Sequence, residues 1–182
     1  MKQVSSDKYN VAWFRLAECV ARGEKERALG VYRLLAHSLD DPALIAQLEG
    51  DILWSFNDKQ AREKYQEAAE LYKRDKRALE AASIYEHLVS MTPESVEYIE
   101  NLIELYDQLS LEAKVISSHE RMVFALLKTK DASHEKIIDH MHKAIDGFVQ
   151  HNKTKELQQF LSKLQAVHDT YYHEAIGYIK GK

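Results

Sequence analysis

Residues 62–95 read REKYQEAAELYKRDKRALEAASIYEHLVSMTPES, and this stretch decides the fold. Tyr65, Ala69, Tyr72, Ala81, Tyr85, Leu88 and Pro93 follow one another at gaps of 4, 3, 9, 4, 3 and 5. Gaps of three and four put residues on one face of a helix, so the stretch predicts two apolar-faced helices with a turn between them. Ala61, Tyr65, Ala68, Ala69 and Tyr72 form the first face, and Ala78, Ala81, Ala82, Tyr85, Leu88 and Val89 the second. Small Ala69 and Ala81 let two helices approach closely, while Tyr72 and Tyr85 fill the space beside them. Pro93 cannot continue a helix but suits the first turn of the next, and Thr92-Pro93-Glu94-Ser95 reads as a start signal.

The same spacing extends in both directions. Upstream, Trp13, Leu16, Ala17 and Val20 predict a first helix, and Ala28, Val31, Tyr32, Leu35 and Leu39 a second. Asp41 as cap and Pro42 in the first turn open a third, through Leu44, Leu48, Ile52 and Phe56. Downstream, Ile99, Leu102, Ile103, Tyr106 and Leu109 mark one helix, and Val115, Ile116, Met122, Val123, Leu126 and Leu127 the next. Ile137, Ile138, Met141, Ala144, Ile145 and Phe148 mark another, followed by Leu157, Phe160, Leu161, Leu164 and Val167. The tail 170–182 predicts a short last helix, broken or ended near Gly177. No window alternates with period two, and the short connections make successive helices antiparallel neighbours.

Composition excludes much else. The chain has 182 residues, 6 Gly, 2 Pro and 1 Cys, which leaves little material for tight hairpins and none for a disulfide framework or a cysteine-based zinc ribbon. Neither G-x-G-x-x-G nor G-x-x-x-x-G-K-[ST] occurs, so the usual phosphate cradles are missing. No apolar run approaches the ~20 residues of a membrane span, and residues 1–8 lack the apolar core of a secretory signal. These features predict a cytoplasmic protein without an integral membrane segment. Asn152-Lys153-Thr154 matches a glycosylation sequon and, without a secretory route, reads as chance.

The pattern in 62–95 resembles the tetratricopeptide repeat (TPR), a helix–turn–helix unit of 34 residues. Residues 96–129 keep Ile99, Leu102, Tyr106 and Val115 but carry His119 where an aromatic stands in the pattern. Residues 9–42 keep Trp13, Leu16, Ala17, Val20, Ala28, Tyr32, Leu35 and Pro42, and 43–72 fit loosely through Gly50, Leu53, Ala61, Tyr65 and Ala68. Two phasings compete, because the helix through 61–74 is the second of one pair and the first of another. The resemblance implies an all-α fold, a TPR-like α-solenoid of nine to ten antiparallel helices. It implies one domain over 9–182 after a flexible 1–8, with repeats clearest in 9–129 and divergent helices and a cap in 130–182. Tyr65-x-x-Ala68-Ala69-x-x-Tyr72 also resembles the helical arrays of soluble NSF attachment proteins, which implies, as a minor alternative, a membrane-fusion adaptor.

The TPR resemblance implies a concave groove lined by the first helix of each pair. In the 62–95 phasing those positions are Glu63, Gln66, Glu67, Glu70, Lys73 and Arg74, and in the next repeat Glu97, Glu100, Asn101, Glu104, Asp107 and Gln108. Family members that clamp acidic chaperone termini place Lys and Asn there; Glu63, Gln66 and Glu70 replace them, and only Asn101 is of the expected type, one position off. Segment charge agrees with an acidic groove: residues 1–62 carry no net charge, 63–112 carry −7 and 113–182 carry +3. An acidic middle repels nucleic acid and attracts cationic segments, the more weakly as salt rises. The expectation is a non-enzymatic adaptor or scaffold for a protein or peptide partner, a basic or amphipathic segment docking near Glu67, Glu70, Glu97, Glu100 and Glu104.

Chemistry at a site finds less support. Seven of the nine histidines follow residue 118, yet no two are three or four apart, the spacing that places two ligands on one helix face. H-E-x-x-H and Glu-x-x-His are both absent, and Asp139/His142 and Asp169/His173 are the notable His–carboxylate pairs. A metal- or small-molecule-binding helical protein using this His-rich half is the second reading, with no metal site, cofactor or catalytic residue assigned. Cys19 beside Leu16, Ala17 and Val20 reads as a small apolar residue, and no Gly-x-Ser-x-Gly elbow exists. Tyr171, Tyr172, Ile176, Tyr178 and Ile179 make an aromatic tail that caps the last pair or offers a surface for self-association.

Overall fold

The computed structural model describes the backbone of residues 5–182 and the side chains of residues 11–182. Residues 1–4 of the expected 1–8 segment therefore lie outside the described residues, and none of its side chains is described. Among the described residues there are ten helices and no strand: α1 (Ser5–Ala21), α2 (Lys25–Ala36), α3 (Pro42–Ser55), α4 (Ala61–Arg74), α5 (Ala78–Met91), α6 (Val96–Gln108), α7 (Glu112–Leu127), α8 (His134–Gln150), α9 (Thr154–Val167) and α10 (Asp169–Lys180). The chain forms two compact units, one up to Leu88 and one from Val89 onward, with the division inside α5. No helix among the described residues is long and apolar enough to cross a membrane.

One turn recurs through both units. Gly23, Asn57, Lys76, Ser110 and Asn152 all have φ between 53° and 74°. Each donates its N–H to the carbonyl three residues back, and the following residue donates to the carbonyl five back, at 2.8–3.1 Å. This paired closure satisfies carbonyls that the end of a helix leaves open and reverses the chain in two or three residues. Gly23 and Asn57 are 34 residues apart, and so are Lys76 and Ser110, but Asn57 and Lys76 are only 19 apart. Both competing phasings are therefore real. One holds for α1–α2 and α3–α4, the other for α4–α5 and α6–α7, and the register slips by one helix at α4.

In the first unit each helix from α1 to α4 packs on the next, and α3 against α4 is the most intimate contact. Gly50 of α3 lies against the Tyr65 ring of α4 so closely that a Cβ there would come within 2.9 Å of it. Ala43, Ala46, Ala61, Ala68 and Ala69 are buried alongside, as are Tyr65 and Tyr72. The Tyr65 ring thus interlocks with Gly50, a small residue of α3 that lies outside the quoted stretch. Leu16, Ala28, Tyr32, Leu35 and Ile52 form a further core cluster. Asp41 caps α3, its side chain accepting from the Leu44 N–H at 3.0 Å, and Arg77 holds the other Asp41 oxygen at 2.6 Å. That amide bond and the Arg77 guanidinium outweigh burial and keep the Asp41 carboxyl below its ordinary range.

Two expectations need correction here, one on α1 and one on α3. Trp13 and Ala17 are exposed, because Ala12, Leu16, Cys19 and Val20 are the side of α1 that meets the core. Leu44 is exposed for the same reason: Ala43 and Ala46 take the inward positions of α3. Cys19 is free and half-buried.

In the second unit α6 packs on α7, α7 on α8, α8 on α9, and α10 on both α8 and α9. Ile99, Leu102, Met122, Met141, Ile145, Phe160 and Leu164 are almost fully buried. Gly147 of α8 faces Ile116 of α7, where a Cβ would come within 2.3 Å of the Ile116 Cγ1. Ser95 caps α6, accepting from the Tyr98 N–H at 3.4 Å. Gly177 does not break the last helix: α10 runs through it to Lys180, because Tyr171 and Ala175 bury on one face and Tyr178 continues that anchoring a turn further on.

Candidate functional site

The expected groove residues fall on two helices, one in each unit, and each set is a face of its own. On α6, Glu97, Glu100, Glu104 and Asp107 follow one another at steps of three and four and are all exposed, with Gln108 beside them. Asn101 is half-buried and donates to the Glu97 carbonyl oxygen at 2.9 Å. Gln108 donates to Glu104 at 3.4 Å, and Lys136 of α8 stands 3.9 Å from Glu100. These four carboxylates are solvent-exposed, where water screens their mutual repulsion, and a cation laid along the row would relieve what remains.

Beyond Asp107 the row continues into a cleft of about 310 Å³ between α6, α7 and α8. Asp107, Glu112 and Asp146 line it with Lys143 and His151. His151 Nε2 lies 3.2 Å from Glu112, while Asp146 accepts from the Tyr178 hydroxyl at 3.0 Å and is also held by Lys182. Sequence spacing did not reveal the cleft, because it depends on the register between three helices.

The α4 set is more mixed. Glu63, Glu67, Glu70 and Arg74 are exposed, and Gln66 and Lys73 are half-buried. Lys64 neutralises Glu67 at 3.0 Å and also reaches Glu49 at 3.1 Å. Glu70 accepts a hydrogen bond from the Tyr85 hydroxyl, Lys73 lies over the Tyr85 ring, and Arg74 turns to Asp75 at 3.1 Å. Much of the charge on this face is therefore engaged within the unit.

The histidines are used structurally. His119, in the position where the repeat pattern has an aromatic, is buried, and its Nδ1 lies 2.8 Å from the Nδ1 of His140. Burial, reinforced by His140 and Lys143, lowers the His119 pKa to about 4, and burial also lowers that of His140. His134 Nδ1 lies 3.0 Å from the Tyr171 hydroxyl, and the His142 ring stacks on Tyr178 at 3.6 Å. The Asp139/His142 pair expected from spacing does not form: Asp139 accepts from Lys143 at 2.7 Å, and the Tyr178 ring takes His142. Asp169 and His173 do meet, at 3.3 Å. Among the described residues no group of three or more His, Cys, Asp or Glu is placed to hold a metal ion. Sequence spacing missed the His119–His140 contact because the partners lie on different helices, 21 residues apart.

No protein-family model matches the chain, and no curated protein sequence matches it. Among solved structures the chain is similar to one described as "MamA RS-1 ArsTM double mutant", at 16% identity, with a TM-score of 0.34, over 91% of this chain and 97% of that one.

Proposed function

We propose that this chain is a non-enzymatic interaction module of the cytoplasm whose exposed α6 face docks a basic, amphipathic segment of a protein partner. The observation that carries the reading is the row Glu97, Glu100, Glu104 and Asp107, exposed along one helix face and running into the cleft that Glu112 lines. A helical partner segment with Lys or Arg at steps of three and four matches the row in period and sign. Its last cation enters the cleft beside Asp107. The mixed face of α4, with Glu63, Glu67 and Glu70, is a secondary contact for the same kind of segment. An acidic row of this kind disfavours nucleic acid.

The test is fluorescence anisotropy with a labelled, synthetic 18-residue amphipathic peptide rich in Lys and Leu, beside a Glu-for-Lys control peptide. Glu100→Lys with Glu104→Lys weakens binding roughly tenfold, the effect of losing about 1.4 kcal/mol of exposed charge pairing. Raising salt weakens the wild type and leaves the variant nearly flat. Equal affinity of both proteins for the Lys peptide, or equal affinity of the wild type for both peptides, contradicts the reading.

A further inference from the structure

Asp146 of α8 lines the cleft together with Asp107 and Glu112, and it is half-buried. Lys143, one turn earlier on the same helix, is engaged by Asp139 at 2.7 Å. The cation that reaches Asp146 comes instead from the segment after α10, where the chain reads Lys180-Gly181-Lys182. Lys182 Nζ pairs with Asp146 Oδ1, while the Tyr178 hydroxyl donates to Asp146 Oδ2 at 3.0 Å. The same ammonium lies over the Tyr178 ring, 4.7 Å from its centroid. That ring is held in place by stacking on His142 at 3.6 Å, with the two planes 10° apart.

A carboxylate and an aromatic face that share one ammonium make a corner suited to a lysine side chain, since one answers the charge and the other attracts it through the ring quadrupole. The fold does not depend on this occupant. Tyr171 and Ala175 bury α10 against its neighbours, whereas the Lys182 side chain is 44% exposed. An exposed ion pair adds little to stability, so the corner can be vacated without unfolding the helix. A basic segment laid along Glu97, Glu100, Glu104 and Asp107 brings its last cation into the cleft that Asp146 also lines.

From this we infer that Asp146 and Tyr178 form a lysine-binding corner of the cleft, and that Lys182 occupies it in the free chain as an internal competitor displaced by a lysine of the docked segment. The inference rests on the docking of a basic segment at the α6 face and adds to it a subsite and its resident occupant. A tethered lysine competes at high effective concentration but through a weak contact. An exposed pair of this kind is closed for about two-thirds of the time, which lowers the apparent affinity for a displacing lysine about threefold.

Fluorescence anisotropy of the full chain with the Lys- and Leu-rich amphipathic peptide, at low salt, tests it. Lys182→Ala is expected to tighten binding about threefold. Lys180→Ala makes the same change in net charge at an exposed position and is expected to leave affinity nearly unchanged. Asp146→Asn, whose amide oxygen still accepts from Tyr178, is expected to weaken binding and to abolish the gain from Lys182→Ala when the two are combined. Equal tightening by Lys180→Ala and Lys182→Ala would reduce the effect to net charge and overturn the inference. So would a gain from Lys182→Ala that persists beside Asp146→Asn. Peptide binding that Lys182→Ala leaves unchanged overturns the internal competitor and leaves the α6 docking standing. A wild type and a Lys182→Ala variant that both fail to bind the peptide overturn the docking itself, and the competitor with it.

Discussion

The two units use the same means to bring helices close and different means to seal the polar groups that closeness buries. In the first, Gly50 admits the Tyr65 ring, and the tyrosine hydroxyls reach out to acceptors at the edge of the core. Tyr65 donates to Asp51 at 2.7 Å, Tyr72 to Gln47 at 2.8 Å, Tyr32 to Glu49 at 3.2 Å, and Tyr85 to Glu70. In the second, Gly147 admits Ile116, and the polar positions are filled by histidines: His119 against His140, His134 against Tyr171, His142 against Tyr178. A buried phenol beside a carboxylate resists ionisation, and burial together with Glu49 pushes Tyr32 up to about 12. An imidazole pair sharing one hydrogen bond does not tolerate a second proton. Equivalent backbone architecture therefore carries unequal sensitivity to acid.

The largest expected effect follows from that difference. His119 is held near 4 in the folded chain, against an ordinary value of 6.5. Between those values the unfolded chain binds more protons, so stability rises with pH, is fully present above 6.5 and is lost as pH falls toward 4. Asp139 and Asp107 face the pair with favourable charge and Lys143 with unfavourable charge, and burial decides the sign. Urea unfolding followed by amide signals of α7 and α8 is expected to lose about 3 kcal/mol between pH 7 and pH 4, against little change for α3 and α4. His119→Phe, the aromatic of the repeat pattern, removes that slope; an unchanged slope refutes the assignment to His119.

Next in size is the glycine contact. Gly147→Ala forces Ile116 to move by more than an ångström and is expected to cost the second unit about 2–3 kcal/mol. Gly50→Ala meets an aromatic edge at 2.9 Å, which a small shift relieves, and is expected to cost the first unit about 1 kcal/mol. Thermal unfolding of the two variants resolves their order, and equal losses would mean that the two approaches are not unequally tight.

How much of this was legible in the sequence depends on how local each cause is. The ten helices follow from the three–four spacing, and Asp41 and Ser95 cap where their residue types suggest. Trp13 faces away from the core although its spacing suits an inward position, because α1 is apolar on both sides and periodicity alone does not say which side meets the core. Gly177 does not act as a stop, because a glycine ends a helix only when packing does not carry the chain past it, and Tyr178 does so here. The competing phasings were visible, but their resolution needed the turn geometry. Lys76 and Ser110 adopt positive φ without the glycine or asparagine that announces such a turn. Of the candidate site, the acidic row on α6 was readable from its period. The cleft beyond Asp107 and the His119–His140 contact were not, since both depend on how neighbouring helices are aligned.

Those turns supply the smallest prediction. Lys76→Gly relieves a left-handed conformation in the first unit and is expected to raise its stability by roughly 0.5–1 kcal/mol, as Ser110→Gly does for the second. A loss of stability in either variant would show that the side chain contributes more than the strain costs.

The central claim is that the α6 face receives a cationic segment, and an amide chemical-shift titration of the isotopically labelled full chain with the Lys-rich amphipathic peptide tests it most directly. The account predicts saturable shifts at Glu97, Glu100, Glu104 and Asp107 and at the Glu112 edge of the cleft, abolished by high salt. Shifts confined to other helices, or no shifts at millimolar peptide in low salt, would contradict it.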